Sequence, residues 1–356
     1  MIVPTEAERT SVKPAPSRGQ IPVYDADAIR AALAVADLIE PVAAAFVAYS
    51  RGEGETSVAV LYPSDRGPAA GDAHVKSATL RGRPVFTVKV ATWFAATAAA
   101  RAARSEPTGG GLVAVFDAET GDALAVLHDE HALSDFRTAA AGAVVARALV
   151  PETARVAGVV GTGVQAELQV LALASVRRVE VVHVWGRDPE RAAVLASRLR
   201  VQLSHVTVRV ATSPRAVVEA ADVILTATAS REPLVEGAWL RPGQHVTAVG
   251  ADDATKCELD AAVLRRADRL VVDSRELTLR YGDVYRAVSR GELTLDAART
   301  TPVELGEILD GRAPGRRSAE EITVAKLIGL GVQDLVAAEV TLARLGALGT
   351  HHAPSA

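Results

Sequence analysis

The chain has 356 residues, a formal net charge of −4 and a composition that is 49% hydrophobic but only 4% aromatic. This balance provides no basic face for nucleic acid, and no apolar run reaches the roughly 18 to 20 residues of a membrane span. The single cysteine, Cys257, excludes a disulfide within the chain and favours a reducing, cytoplasmic location. We expect two domains of ordinary size after a disordered tail over residues 1–20.

The first part of the chain alternates between helical and strand patterns. Apolar residues at helical spacing predict one or two helices over residues 25–50. A long helix is predicted later, beginning near Ser134 and covering residues 135–150. Five strands are predicted between them, the last four as two hairpins, over residues 56–62, 74–80, 84–92, 111–117 and 122–128.

From about residue 153, short β-branched runs alternate with helical stretches. Nearly continuous apolar strands separated by helices indicate a parallel sheet covered on both faces. After residue 322 the sequence ITVAKLIGLGVQDLVAAEV predicts helix, which we do not expect to belong to this sheet. The six predicted strands cover residues 155–161, 179–185, 205–211, 222–229, 245–251 and 269–274.

These patterns predict an α/β protein with a Rossmann dinucleotide-binding domain over residues 151–324. A second, α+β domain would be discontinuous, because the carboxy-terminal helical segment has no place in the parallel sheet. Its two segments are residues 21–150 and 325–350.

A glycine-containing loop directly follows the first strand of the predicted parallel sheet and opens a helix. Only glycine lets the backbone turn this tightly and approach a pyrophosphate, which the free N–H groups at the helix start then bind. The strand–turn–helix context supports a nicotinamide dinucleotide site, although a tight turn without a ligand has the same pattern. The residues expected to bind the cofactor are Gly161, Thr162, Gly163, Val164, Gln165 and Ala166, with Thr228 at the end of a later strand.

The end of the next strand bears on the choice between NAD and NADP. An acid that binds the ribose 2′-hydroxyl of NAD is usual at this point, but Gly186 occupies the position and Arg187 follows it. An arginine here can pair with a 2′-phosphate, so the sequence favours NADP(H) over NAD. The alternative makes Arg187 a solvated loop residue and Asp188 only the cap of the next helix.

Two lysines and one arginine in unusual positions are candidates for substrate binding. Lys89 lies inside an apolar strand, so it either reaches solvent at a sheet edge or lies in a polar cleft. Lys76 poses the same choice and would face the same cleft. Arg137 falls in the first turn of the helix predicted near Ser134, where its charge opposes the helix dipole unless an anionic substrate group lies there. Otherwise Arg137 is a surface residue.

Two aspartates follow the strand HVTAVG, at the carboxyl end where ligands of open α/β sheets gather. A carboxylate beside a nicotinamide is a natural general acid or base, so we expect Asp252 to be catalytic. The competing interpretation is a turn that caps the next helix, which suits Asp253. His128 and His131 lack a third ligand at a clear spacing, and we therefore expect no metal.

Several segments together carry a family resemblance. In chain order, HVK, VKVA, LSDFRTAAAGAVVA, GVVGTGVQA, VWGRDPERA, GADDATKCELD and GVQDLVAAE resemble the ornithine cyclodeaminase/μ-crystallin family, particularly its branch of ectoine-utilisation and cyclodeaminase-like proteins. The similarity covers roughly residues 25–345. It implies a homodimer of two-domain subunits, in which the discontinuous domain carries substrate binding and dimer contacts. It also implies NAD(P)-dependent chemistry between a small α-amino acid and its imine.

The resemblance implies roles for individual residues. The family's substrate lysine falls on Lys89, its carboxylate-binding arginine on Arg137 and its catalytic aspartate on Asp252. Members that act on ornithine have a further carboxylate-binding arginine on an earlier strand, whereas this chain has VAVLYPSDRG there. Arg66 or Lys76 would have to substitute for it, so ornithine is not the expected substrate.

The sequence therefore predicts an enzyme of imine chemistry, and a ketimine or imino-acid reductase of the amino-acid dehydrogenase type is favoured. The alternative is a cyclodeaminase, which oxidises a diamino acid, closes it to a cyclic imine with loss of ammonia and returns the hydride. A hypothesis of another class is a crystallin-like protein that binds NADPH and a small ligand without turnover. The presence of Lys89, Arg137 and Asp252 favours an enzyme.

Overall fold

The structure is a computed structural model that describes residues 20–67, 70–103 and 108–348. The predicted disordered tail lies outside these ranges except for Gln20. No single helix in the described part of the chain has both the length and the apolar composition to cross a membrane. Two consecutive helices at residues 26–32 and 35–50 meet those criteria only jointly, and they are bent by 86° against each other.

The first sheet is mainly antiparallel. Its strands are β1 (Val23–Asp25), β2 (Gly54–Leu61), β3 (Gly71–Leu80), β4 (Val85–Phe94), β5 (Gly109–Asp117) and β6 (Ala123–His128). They are ordered β1-β6-β5-β4-β3-β2, and only β1 and β6 pair in parallel. The two predicted hairpins are confirmed, since β3 pairs with β4 and β5 with β6. Its helices are α1 (Ala26–Ala32), α2 (Val35–Ser50), α3 (Ala95–Ala103) and α4 (Ala132–Leu149).

The second sheet is parallel throughout. Its strands are β7 (Val156–Val160), β8 (Val181–Trp185), β9 (Thr207–Val210), β10 (Val223–Thr226), β11 (His245–Ala248), β12 (Arg269–Val272), β13 (Val303–Glu304) and β14 (Thr323–Lys326). They are ordered β13-β12-β14-β11-β10-β7-β8-β9, with the reversal of strand order beside β7 that a Rossmann fold requires. The predicted fold class is therefore confirmed.

The helices of the parallel sheet follow its strands in the predicted alternation. They are α5 (Val164–Val176), α6 (Pro189–Gln202), α7 (Pro214–Ala220), α8 (Ala261–Arg266), α9 (Arg275–Thr278), α10 (Gly282–Ser289), α11 (Leu295–Thr300) and α12 (Leu305–Leu309). The last helix, α13 (Gly331–Arg344), packs against strands β3 and β4 of the antiparallel sheet and against helix α2.

The prediction that residues after 322 are only helical and lie outside the parallel sheet is wrong. β14 lies inside that sheet, between β11 and β12, and the predicted domain boundary at 324/325 falls within it. Four buried residues are too few for their periodicity to distinguish a strand from the start of a helix. The chain breaks at Gly329, whose φ of +90° is unfavourable for other residues, and α13 begins only at Gly331.

The predicted start of the long helix near Ser134 also needs correction. α4 begins at Ala132, after Glu130 and His131 adopt the unusual φ angles of +45° and +80°. The carboxylate of Asp129 accepts a hydrogen bond from the Leu133 amide at 3.0 Å and so caps the helix from outside. Arg137 consequently lies in the second turn, and the dipole argument for its position does not hold.

Candidate active site

A cavity of about 750 Å³ lies between the carboxyl ends of the parallel strands and the antiparallel sheet. Its walls come from β3, β4 and α4 on one side and from the segments after β7, β8, β10 and β11 on the other. Residues proposed from the sequence for substrate and for cofactor therefore meet in one place. Those that line the cavity are Lys76, Lys89, Arg137, Gln165, Arg187, Thr228 and Asp252.

A buried cationic cluster forms the wall of the cavity at the antiparallel sheet. Lys89 lies on an interior strand and is only 2% exposed, so it occupies the polar cleft rather than a sheet edge. Its Nζ donates to Asp334 Oδ1 at 2.7 Å and to Ser134 Oγ at 2.8 Å. Arg137 is also buried, and its Nε donates to the same oxygen of Asp334 at 2.9 Å.

The charges of this cluster are strongly coupled. Burial by itself would raise the pKa of Asp334, but Arg137 and Lys89 together hold it at about 2. Burial lowers the pKa of Lys89, although the Asp334 carboxylate opposes that shift. One carboxylate thus serves two cations, which leaves the wall able to accept a further anion. Asp334 lies within the GVQDLVAAE segment but was not predicted from the sequence as a site residue.

Lys76 adds a third basic side chain to this wall. It stands directly opposite Lys89 in the register of β3 and β4, and its Nζ donates to the main-chain oxygen of Gly329 at 2.7 Å. Burial, together with the charges of Arg137 and Lys89, lowers the pKa of Lys76 to about 7. Arg66, the other suggested substitute, is exposed in a turn and does not line the cavity.

Asp252 lies on the opposite wall in an ion pair. Its Oδ1 accepts from Lys256 Nζ at 2.7 Å. Burial by itself would raise the pKa of Asp252, but the Lys256 ammonium holds it well below its usual range. Asp252 is therefore a carboxylate at neutral pH, suited to accept a proton or to orient a positively charged nitrogen and poorly suited to donate one. Lys256 was not singled out from the sequence.

Two further polar side chains of β3, which line the cavity beyond Lys76, were also not predicted from the sequence. Asp72 and His74 lie on β3 two residues apart and therefore on the same face as Lys76. Burial lowers the pKa of His74 to about 4, so its ring is neutral at pH 7. Asp253 approaches both side chains, and its Oδ1 accepts from the amides of Thr255 and Lys256 within a bend. The suggestion that Asp253 caps the next helix is wrong, because that helix, α8, is capped by Asp260. Lys256 Nζ, 3.5 Å from Asp253, supplies the nearby positive charge.

The glycine loop has the form that a dinucleotide requires. Gly161 has a φ of +135°, and a Cβ there would lie 2.5 Å from the oxygen of Ala227. A Cβ on Gly163 would meet nothing within 4 Å, so this side of the loop is open to a ligand. Gln165 Nε2 donates to the main-chain oxygen and to Oδ1 of Asp135 at 3.1 and 2.9 Å, which fixes α5 against α4. These features fit a bound pyrophosphate.

The end of β8 differs from that of NAD-specific sites. A Cβ on Gly186 would lie 2.3 Å from Cγ2 of Thr162, so an acidic side chain does not fit unless Thr162 moves. Arg187 is exposed and lines the cavity. Asp188 is occupied as the N-cap of α6, where its side chain accepts from the amides of Glu190 and Arg191.

A buried glutamate holds the strand ends that face the cofactor loop. Oε1 of Glu258 accepts from the amide and hydroxyl of Thr228 at 2.6 and 2.9 Å. Its Oε2 accepts from the amides of Gly250 and Ala251 at 2.8 and 3.2 Å. Glu258 therefore connects the segment after β10 to the segment that carries Asp252. Its buried, multiply bonded state could not be inferred from the KCELD sequence.

Together, a glycine loop on a parallel sheet and a facing wall of buried cations define a two-lobed protein of the dinucleotide-dependent oxidoreductase type. Residues 22–347 match the model of the ornithine cyclodeaminase/mu-crystallin family. The chain belongs to this family, and the predicted family is confirmed.

Similar proteins support the assignment along most of the chain. A putative dehydrogenase of Rhizobium meliloti is 39% identical over 277 residues, 78% of this chain and 82% of that protein. The ketimine reductase mu-crystallin of Mus musculus is 32% identical over 304 residues, 85% of this chain and 90% of that protein. The solved structure of Δ1-pyrroline-2-carboxylate reductase from Thermococcus litoralis, in complex with NADH and L-proline, matches at a TM-score of 0.83 and 26% identity, over 91% of this chain and 97% of that one. The prediction of an NAD(P)-dependent enzyme of imine chemistry is confirmed at the level of the family.

Proposed function

We propose that this protein reduces the C=N bond of a small α-imino acid, with a nicotinamide dinucleotide as hydride donor, to give the α-amino acid. One observation carries the proposal: Lys76, Lys89 and Arg137 converge on one cavity wall, where Lys89 and Arg137 share the single carboxylate of Asp334. A buried wall with excess positive charge suits the carboxylate that every α-imino acid bears. Gln165, in the first turn of the helix after the glycine loop, lines the same cavity.

The side chains divide the work by their charge. Arg137 and Lys89 bind the substrate carboxylate and fix its orientation. Asp252, ionised by Lys256, faces the nitrogen that carries positive charge once the imine is protonated, and stabilises it there. Residues 161–166 bind the pyrophosphate of the cofactor, whose dihydronicotinamide supplies the hydride when bound. Glu258 holds Thr228 and the Asp252 segment at the positions this requires.

A cyclodeaminase is the second candidate, and one observation favours it. Asp72 and His74 lie on β3 beyond Lys76 at the cavity, where they offer acceptors for the distal amine of a diamino acid. That reaction returns its hydride and leaves the cofactor unchanged. A reductase oxidises NADPH or NADH in a fixed ratio to the amino acid formed.

The two functions are separated by two incubations of the purified protein. In the first, cyclic and acyclic α-imino acids are supplied with NADPH or NADH, and cofactor oxidation and amino acid are measured. In the second, diamino acids are supplied with a catalytic amount of NAD⁺, and ammonia is measured. Ammonia release without net cofactor reduction contradicts the reductase and establishes the cyclodeaminase. Absence of turnover in both, with tight NADPH binding, supports the binding-only hypothesis instead.

We also propose NADP(H) as the preferred cofactor. Arg187 lines the cavity after β8, at the position where a 2′-phosphate is bound in related sheets. A side chain at position 186, such as the acid that would select NAD, would require Thr162 to move. Binding of NADPH and NADH, measured by fluorescence titration, tests this preference.

A homodimer is proposed from the outer face of the antiparallel sheet. The residues of β4 that point away from the core include Phe86, Val88 and Val90, which are only partly buried. Phe86 stacks on Phe116 of β5 with ring centroids 4.9 Å apart, and Leu112 of β5 is 37% exposed. An apolar sheet face of this kind suits burial against an identical copy. Light scattering at micromolar concentration tests it, and a monomer contradicts it.

A further inference from the structure

The distribution of lysines sets one residue apart. The chain has only five lysines, and Lys13 lies outside the described ranges. Lys89, Lys256 and Lys326 each form an ion pair, with N–O distances of 2.7, 2.7 and 3.2 Å. Lys76 is 4% exposed, yet among the described residues it is in ion-pair contact with no carboxylate. Its Nζ donates hydrogen bonds to the main-chain oxygens of Gly329 and Ile328, at 2.7 and 3.5 Å.

The charged groups around Lys76 are engaged elsewhere. Asp334 accepts hydrogen bonds from Lys89 and Arg137, and Asp252 accepts one from Lys256. Asp273 accepts from the amides of Ile328 and Gly329 at 2.9 and 2.6 Å. The titratable and charged groups that face Lys76 are Lys89 from β4, Arg137 from α4, Asp334 from α13, Asp252 after β11, Asp273 after β12 and His74 from its own strand.

The backbone beside Lys76 leaves the amine in a fixed place. A Cβ at Gly329 would lie 2.6 Å from Nη1 of Arg137 and 3.2 Å from Nζ of Lys76, so a glycine is required between the two cations. Asp273 holds the amide of the same residue. Lys76 is thus positioned at the cavity with a main-chain hydrogen-bond acceptor and, within the described ranges, without a carboxylate in ion-pair contact.

We propose that Lys76 takes up a proton from solvent when the substrate carboxylate binds, and releases it when the product leaves. The inference rests on the proposed function, because it concerns the same carboxylate site, and it gives Lys76 a role distinct from those of Lys89 and Arg137. The free amine gains one proton and one positive charge, and the incoming carboxylate provides the negative charge that retains both. No other bond is made or broken in this step.

The coupling has a direct kinetic consequence. Burial and the neighbouring cations lower the pKa of Lys76 to about 7 in the free protein. Above that pH the charged form that binds substrate becomes scarcer, so KM is expected to rise up to about tenfold per pH unit while kcat changes little. Lys76→Arg keeps the charge at all these pH values and should remove the dependence. Lys76→Met should raise KM at every pH.

The scarcity of lysine allows a direct measurement. Protein labelled with ¹³C at the lysine ε carbon should give five signals at most, and Lys76→Arg identifies the signal of Lys76 by its loss. In the presence of NADPH, this signal is followed from pH 5.5 to 9.5 with no addition, with propionate, or with propionamide as the matched neutral probe. We expect a midpoint near that pKa of about 7, raised by about one pH unit or more with propionate only.

The outcomes separate this inference from the proposed reaction. A midpoint at the ordinary value of a lysine, or a midpoint that propionate leaves unchanged, overturns the role of Lys76. If the protein reduces an imine but propionate does not shift the midpoint of Lys76, only the role of Lys76 is overturned. If propionate shifts the midpoint but no imine is turned over, the role of Lys76 is supported and the reductase is contradicted. If Lys76→Arg does not fold, replacing Lys13, Lys89, Lys256 and Lys326 one at a time assigns the remaining signal.

Discussion

Lys76 and Lys89 occupy directly opposed positions in the antiparallel register of β3 and β4, and only Lys89 has a carboxylate partner. The two lysines therefore differ in their partners: Asp334 of α13 accepts from Lys89, whereas the main-chain oxygen of Gly329, in the loop before α13, accepts from Lys76. The cavity wall combines permanent positive charge with one amine whose charge depends on what is bound.

Arg137 provides the first test of the carboxylate site. Arg137→Ala should lower kcat/KM on the substrate at least about a hundredfold, the scale of a lost charged bidentate contact. The matched control is Arg147→Ala, which removes an exposed arginine from the same helix and should leave the kinetics unchanged. Unchanged kinetics in Arg137→Ala, with the fold verified by circular dichroism, would refute the assignment.

Cofactor choice should depend on Arg187. Arg187→Ala is expected to weaken NADPH binding by about tenfold or more and to leave NADH binding nearly unchanged, since only NADPH carries the 2′-phosphate. Arg191→Ala, one turn into α6 and equally exposed, serves as the control for a general loss of positive charge. Equal affinities of the native protein for the two cofactors would show that Arg187 has no such role.

Glu258 should affect catalysis without touching substrate. Glu258→Gln converts one acceptor oxygen into a donor that faces backbone N–H groups, so the segments carrying Thr228 and Asp252 should separate. We expect kcat to fall about tenfold or more, while KM changes little because Lys89 and Arg137 remain in place. Glu232→Gln, on an exposed ion pair, is the control. If Glu258→Gln changes only the thermal stability, Glu258 has a structural role and does not position the site for catalysis.

Acid should destabilise the fold through His245. This ring is fully buried between the hydroxyls of Thr323 and Thr247 at 2.7 and 2.8 Å, and burial lowers its pKa to about 3. Between pH 6.5, the pKa of histidine in the unfolded chain, and a pH of about 3, the unfolded chain binds a proton at His245 that the folded chain does not. The free energy of unfolding should therefore fall with decreasing pH by up to about 1.4 kcal/mol per pH unit. Urea titrations of His245→Gln should show a shallower slope than the native protein over this range.

The oligomeric state should respond to a charge on the outer sheet face. The native protein is expected at about twice 37.1 kDa in light scattering. Val88→Glu would place a carboxylate in the centre of the apolar face and should shift the mass toward that of the monomer. Val201→Glu, at an 82% exposed position on α6, is the control that changes net charge equally. A dimer that survives Val88→Glu would place the interface elsewhere.

The sequence predicted the features that depend on local pattern. The glycine loop, the two hairpins and the strand–helix alternation follow from residue type and spacing. Lys89, Arg137 and Asp252 can be named as candidates from the sequence, and they line one cavity in the structure. It failed at β14, because four residues are too few to show a measurable period and the neighbouring strands β11 and β12 decide their conformation. It also misplaced the start of α4, where a cap from Asp129 outweighed the more obvious Ser134.

By itself the sequence determined which chemical groups are available, and the tertiary structure decided their charge. Whether Lys76 is protonated, whether Asp252 can donate a proton and whether His74 is neutral depend on burial and on charged neighbours in space, most of which lie on other elements of the fold. Electrostatic energy depends on distance in space and on the exclusion of water, and neither is a property of sequence spacing. For that reason the arrangement of the cavity wall became evident only in the folded chain. Lys89 and Arg137 share one carboxylate there, and Lys76 has no carboxylate partner among the described residues.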